Sequence, residues 1–252
     1  MHEGEACFRV VQLEASDDNY SRCFSWLPAD ETARAARFRF DEHRRAYVLG
    51  RGALRALLAN YLGIRPAEVA FVYGPHGKPG LAPQLKNQAR GLRFNASNSG
   101  NLAAYAFTRD CEIGIDIERH RALTDLERIA RRFFSAEETA ELLALSGDQQ
   151  TDAFFRCWTR KEAFIKAMGG GLTIPLASFQ VTLRPGVGAR LVSINASAEA
   201  AREWTLSSFD PGPGFAGAVA CNQKRSVRQA GPSVSIDELL TADELLTPKS
   251  AI

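Results

Sequence analysis

The segment Ile113-Gly114-Ile115-Asp116-Ile117-Glu118 constrains this chain most, because apolar and acidic residues alternate along it. Side chains of an extended strand point to opposite faces with period two. A strand here buries Ile113, Ile115 and Ile117 on one face and gathers Asp116 and Glu118 on the other. About forty residues on lies Trp158-Thr159-Arg160-Lys161-Glu162-Ala163-Phe164-Ile165-Lys166, which lacks that alternation and is rich in good helix formers. On a helix, Glu162 and Lys166 stack one turn apart. Two carboxylates from a strand and a third from a helix suit a hard divalent cation. Such a cation commonly takes further oxygens from a substrate phosphate.

The surrounding sequence predicts strands and helices in mixed order. Residues 8–13 read as an opening strand, and Pro28 with Asp30 and Glu31 marks a helix start. Residues 44–62 have long helical periodicity, closed by Gly63 and Pro66. A strand at 69–73 leads into the turn 74–80, and 83–91 is polar and irregular, a surface loop. Residues 94–100 form a polar connection into the apolar segment 102–107. Helices are expected at 123–134, at 136–145 with Ser135 as N-cap, and at 151–168, the last stopped by Gly169-Gly170-Gly171. Four antiparallel strands follow at 179–183, 189–194, 204–209 and 215–221. Element order thus repeats in two halves, giving subdomains 1–110 and 111–222 and a tail at 223–252. Its acidic-apolar stretch 237–247 is either a short docked helix or loose.

At 252 residues the chain is one large domain or two small ones, and its net charge of +2 argues against a general nucleic-acid binder. Charge is uneven, however. Arg34, Arg37, Arg39, Arg44, Arg45, Arg51 and Arg55 face only Asp41 and Glu42 within one short stretch, so those sharing a helix face suggest an anion site. The five cysteines and four histidines are dispersed, which speaks for reduced thiols in a cytoplasmic protein and against a zinc site. No apolar run has membrane-spanning length, and the N-terminus lacks the basic start and apolar core of a signal peptide.

In this order the segments resemble the 4′-phosphopantetheinyl transferases of the larger, surfactin-synthetase-activating type. The family's G-I-D-[IV]-E is Gly114 to Glu118, and its W-x-x-K-E-[AS]-x-x-K runs from Trp158 to Lys166. Its G-K-P is Gly77-Lys78-Pro79, and its G-R-x-x-[LI]-R is Gly50 to Arg55. Arg132-Phe133-Phe134-Ser135 with Glu137 and Glu138 fits the family's segment between the acidic motifs. The similarity covers roughly 34–183. Where the family commonly has N-x-S-H-S, this chain has Asn95-Ala96-Ser97-Asn98-Ser99. Asparagine donates a neutral hydrogen bond but carries no positive charge.

The resemblance implies an α+β fold of two similar α/β subdomains in a pseudo-twofold arrangement, and a monomer. It implies Mg2+-dependent transfer of 4′-phosphopantetheine from coenzyme A to a serine of an acidic apo carrier protein, releasing 3′,5′-ADP. Asp116, Glu118 and Glu162 would hold the metal. Glu162, or else Glu118, would act as base, directly or through metal-bound water. Lys161 and Lys166 would stand at the phosphates. Arg51 and Lys78 would meet the 3′-phosphate, Ser97 and Asn98 would form a phosphate loop, and Arg44 and Arg34 are weaker candidates. The turn holding Pro79 would approach the adenine, and Trp158 would pack so as to orient Glu162. Basic residues of the first half and the apolar region 123–134 are candidate carrier-docking surfaces. The competing reading is a non-catalytic adaptor that binds coenzyme A or carrier proteins.

Overall fold

The computed structural model describes residues 4–241. Helices on the outside enclose two facing sheets, one from each half of the chain. The first half holds β1 (Glu5–Gln12), α1 (Asp17–Ser25), α2 (Ala29–Ala36), α3 (Asp41–Leu62), β2 (Phe71–Tyr73), β3 (Pro79–Leu81), α4 (Lys86–Ala89), β4 (Leu92–Ser99) and β5 (Leu102–Arg109). The second holds β6 (Ile113–Arg119), α5 (Leu126–Phe133), α6 (Ala136–Leu143), α7 (Gly147–Met168), β7 (Phe179–Val181), β8 (Leu191–Ile194), α8 (Ala198–Arg202), β9 (Thr205–Phe209) and β10 (Phe215–Cys221). β11 (Ser226–Gln229), β12 (Val234–Ser235) and α9 (Ile236–Thr241) follow.

Strand alternation distributes residues between cores. In β5, Ala103, Tyr105 and Phe107 pack with α3, while Leu102, Ala104 and Ala106 face the second sheet. Ile113, Ile115 and Ile117 of β6 meet them from the other side, so the isoleucine face lies at the centre of the molecule. A strand buried on both faces has no polar side to show, which is why β5 reads as one continuous apolar run.

Each half carries one 22-residue helix, α3 or α7, ending on a left-handed glycine, Gly63 (φ 66°) or Gly169 (φ 72°). α6 starts with the reciprocal bonds expected of Ser135. Its hydroxyl accepts from Glu138 N (3.1 Å), and the Glu138 carboxylate accepts from Ser135 N (2.8 Å).

Three sequence expectations change, one helix was not anticipated, and the tail takes the docked one of its two expected alternatives. Residues 92–99 are a strand rather than a connection, and 83–89 hold a 3-10 turn and α4 rather than a loop. α1 had no signal because only Cys23 of its nine residues is buried. The last strands form no single meander, since β7–β8 is a separate hairpin and β9 pairs with β10. The stretch after residue 222 is not detached: β11 and β12 run parallel to β1, completing the first half's sheet. α9 then buries Ile236, Leu239 and Leu240, and Asp237 accepts bonds from Ser16 N and Asn19 Nδ2 (2.7 Å). The rest of the expected 237–247 helix lies outside the described residues. Among the described residues no helix is long and apolar enough to cross a membrane.

Candidate active site

β6 bonds to β10 along one edge only, and its other edge faces β4 across the junction of the halves. Side chains make that contact. Asn95 Oδ1 accepts from Ile115 N (2.9 Å), and Ser99 Oγ accepts from Arg119 N (3.0 Å) while donating to Glu118 Oε2 (3.0 Å). Ser97 Oγ donates to Asp116 Oδ1 (2.9 Å). Period two aims Asn95, Ser97 and Ser99 at β6 and leaves Asn98 exposed. The polar alternation of these residues was the overlooked sign of a strand.

α7 lies directly on β6. A Cβ at Gly114 would stand 2.0 Å from the Ala163 carbonyl oxygen and 2.4 Å from Ala167 N, so only glycine allows this approach. The close contact brings Lys166 over Asp116: Nζ donates to Asp116 Oδ1 (2.6 Å) and to Ser97 Oγ (3.0 Å). Asp116 is 4% exposed, and its other oxygen, Oδ2, is buried with no hydrogen-bond partner among the described residues. Burial pushes the Asp116 carboxyl above the usual range, against the pull of Lys166 and Ser97. Burial and the charge of Asp116 raise Glu118 as well. Glu162 is pushed up to about 7 by burial, then by Asp116 and, less, by Glu118.

Three carboxylates thus share one electrostatic environment that the Lys166 ammonium does not balance. Among the described residues no three acidic, histidine or cysteine side chains are drawn together into a finished ligand shell. The chemistry still fits a hard dication. All donors are oxygens, one buried oxygen lacks any partner, and each carboxylate is short of positive charge.

Other expected site residues lie elsewhere. Lys161 is fully buried, and its ammonium donates to Leu176 O (2.8 Å) and Phe179 O (2.6 Å) and pairs with Glu138 (2.8 Å). Three donors with three acceptors leave nothing for a phosphate, so Lys161 is a core residue and the expectation for it is corrected. Lys78 is likewise engaged, donating to Glu112 (3.1 Å), Ile113 O (3.3 Å) and Ala167 O (3.2 Å). It clasps the β2–β3 hairpin to the second half instead of standing free for a 3′-phosphate. Its stem and Pro79 line a cleft of about 560 Å³ with Lys86, Arg93 and Glu112.

The basic helix is also largely neutralised internally. Arg51 pairs with Glu31 and reaches the Tyr73 hydroxyl (3.2 Å), buried Arg55 shares the same carboxylate (3.0 Å), and Arg44 pairs with Asp41. Arg44 lines a separate cleft with Tyr20 and Phe24, and Arg34 lies over the Tyr47 ring. Trp158 stacks on Phe154 and meets Phe133 edge-on, fixing α5 against α7.

Asp116, Glu118, Glu162 and Lys166 thus form an oxygen-rich, charge-unbalanced cluster at the junction of the two halves. Two family models match: "4'-phosphopantetheinyl transferase, N-terminal" over residues 12–109 and "4'-phosphopantetheinyl transferase superfamily" over residues 112–221. The chain is 39% identical to the 4'-phosphopantetheinyl transferase HetI of Nostoc sp. over 83% of its own length and 84% of the relative's. It is 36% identical to the 4'-phosphopantetheinyl transferase Sfp of Bacillus subtilis, over 67% and 71% of the two chains. The chain belongs to the 4'-phosphopantetheinyl transferase family. Its activity is the family's, transfer of phosphopantetheine from coenzyme A to a carrier protein.

Proposed function

We propose that the transfer occurs in the β4–β6–α7 groove, with Mg2+ held by Asp116, Glu118 and Glu162. The observation that carries this reading is the buried, unpartnered Asp116 Oδ2 beside two carboxylates that are themselves raised. When bound, the ion would neutralise pyrophosphate charge and make the phosphorus more electrophilic.

The chain's own groups account for the remaining requirements. The carrier serine oxygen bonds to the phosphorus next to pantetheine, the bond from that phosphorus to the bridging oxygen breaks, and its electron pair leaves with 3′,5′-ADP. The serine proton goes to a carboxylate. Glu162, directly or through a metal-bound water, is the first choice, since it sits on α7 beside Asp116 and Glu118; Glu118 is the second. Lys166, which donates to Asp116 Oδ1, would stabilise charge developing on the departing phosphate. The nucleotide end of coenzyme A would enter the cleft under the β2–β3 hairpin, past Pro79, Lys86 and Arg93. An acidic carrier protein would dock along α5, where Arg132 is exposed while Arg128 and Arg131 are already paired with Asp125 and Glu127. The protein would work as a cytoplasmic monomer, both halves of its groove coming from one chain.

Incubation with coenzyme A, Mg2+ and an apo carrier protein should add one phosphopantetheine to the carrier by mass spectrometry. Asp116→Ala should abolish the gain and Lys161→Met should spare it per folded molecule. Coenzyme A binding without mass gain across a panel of carriers would favour the adaptor reading instead.

A further inference from the structure

On α7, next to the groove residues, Arg160 turns the other way. It is 3% exposed, yet no carboxylate among the described residues pairs with it. Its Nε donates to Ser208 Oγ (3.0 Å), and Nη1 donates to the Thr182 carbonyl and to Thr182 Oγ1 (3.1 Å). Nη2 has no acceptor among the described residues. The charge beside it is another arginine, Arg156, whose own bond is to Leu183 O (2.8 Å). Burial, and then Arg156, pull the Arg160 guanidinium down to about 10. Buried cations are ordinarily paired, as Arg55 is with Glu31 and Lys161 with Glu138. Arg160 lacks such a partner.

Beside it lies a cavity of about 360 Å³, lined by Arg160, Gly186, Gly188, Leu206, Ser207 and Ser208. β9 is the outer strand of its sheet, so its outward amides have no strand partner. A Cβ at Gly186 or Gly188 would meet nothing within 4 Å, so the opposite wall is open backbone. A planar guanidinium, the Ser208 hydroxyl and the edge backbone of β9 around a polar space match the tetrahedral oxygens of a phosphate group. We infer that this cavity is an anion site for a phosphate-class oxyanion, distinct from the carboxylate cluster and built on Arg160 and Ser208.

The test is a titration of the full chain with inorganic phosphate against chloride at equal ionic strength, without coenzyme A or divalent ions. It is read by thermal shift and by 31P line broadening. Wild type should be stabilised by phosphate beyond chloride. Ser208→Asp places a carboxylate beside Arg160 at an exposed position, and should weaken phosphate binding by about tenfold or more. Arg160→Lys keeps the charge but loses the fork, and should weaken it comparably. Lys166→Met, which removes the groove ammonium, should retain the phosphate effect. A phosphate response no larger than chloride's, or one lost in Lys166→Met but intact in Ser208→Asp, overturns the assignment.

Discussion

α3 and α7, the 22-residue helices of the first and second halves, have equal length and end on the same kind of glycine, yet they handle charge differently. α3 neutralises its cations within its own half, Arg51 and Arg55 both closing on Glu31. α7 does the same with Lys161 and Glu138 on one side. On its other side it presents Glu162 and Lys166 to Asp116, where negative charge stays in excess and one buried oxygen has no partner. A helix whose charges cancel internally is scaffold. A helix that leaves charge uncancelled at a junction has something to bind.

The largest expected effect tests the scaffold side. Lys161→Met leaves Glu138 buried without its cation, and Arg55→Met leaves Glu31 half-paired; each should cost about 3–5 kcal/mol by chemical denaturation. If Lys161→Met instead left stability intact and lowered the transfer rate, the two sides of α7 would not differ as described. Next is Gly114→Ala. The added methyl must displace α7 from β6, so a loss of about 1–3 kcal/mol is expected, with a fall in kcat as Lys166 leaves Asp116. An equivalent change on α3, Gly50→Ala, meets nothing closer than 3.8 Å and should be mild.

A third prediction concerns pH. The Glu162 carboxyl is raised, so the folded chain holds that proton more tightly than the unfolded chain does. Its contribution to stability is fully present below the ordinary carboxylate pKa and is lost as pH rises through about 7. In EDTA the melting temperature should fall by a few degrees over that window, Glu162→Gln should flatten the fall, and Mg2+ should reverse it in wild type. A flat wild-type profile would show that the carboxylates do not share one field. The smallest effect is expected from Asn98→His on the exposed side of β4. A histidine there should lower the KM for coenzyme A a few-fold at pH 6 and much less at pH 8, in line with its pKa of about 6.5. A KM unchanged at both pH values would place the coenzyme's phosphates away from Asn98.

Much of this was legible in the linear chain because period-two and capping signals are local. The Ile113–Arg119 alternation, the Ser135 cap and the glycine stops of both long helices follow from neighbours a few residues apart. Lys161 and Lys166 were not separable that way. Five positions apart in one motif, they differ only in what lies across from them: Leu176, Phe179 and Glu138 for one, Asp116 and Ser97 for the other. Lys78 and the arginines of α3 were misplaced for the same reason, since a cation in a sequence does not reveal which anion or carbonyl it will meet.

By itself the sequence determined the strand that collects Asp116 and Glu118, the helix that carries Glu162, and the family to which their spacing belongs. These depend on side-chain periodicity and residue order, which the chain carries in one dimension. Only the tertiary structure decided which charges remain uncancelled. Burial and pairing depend on contacts between residues far apart in sequence: Ser97 with Asp116, Asp116 with Lys166, Lys161 with Glu138, and Arg160 with no carboxylate among the described residues.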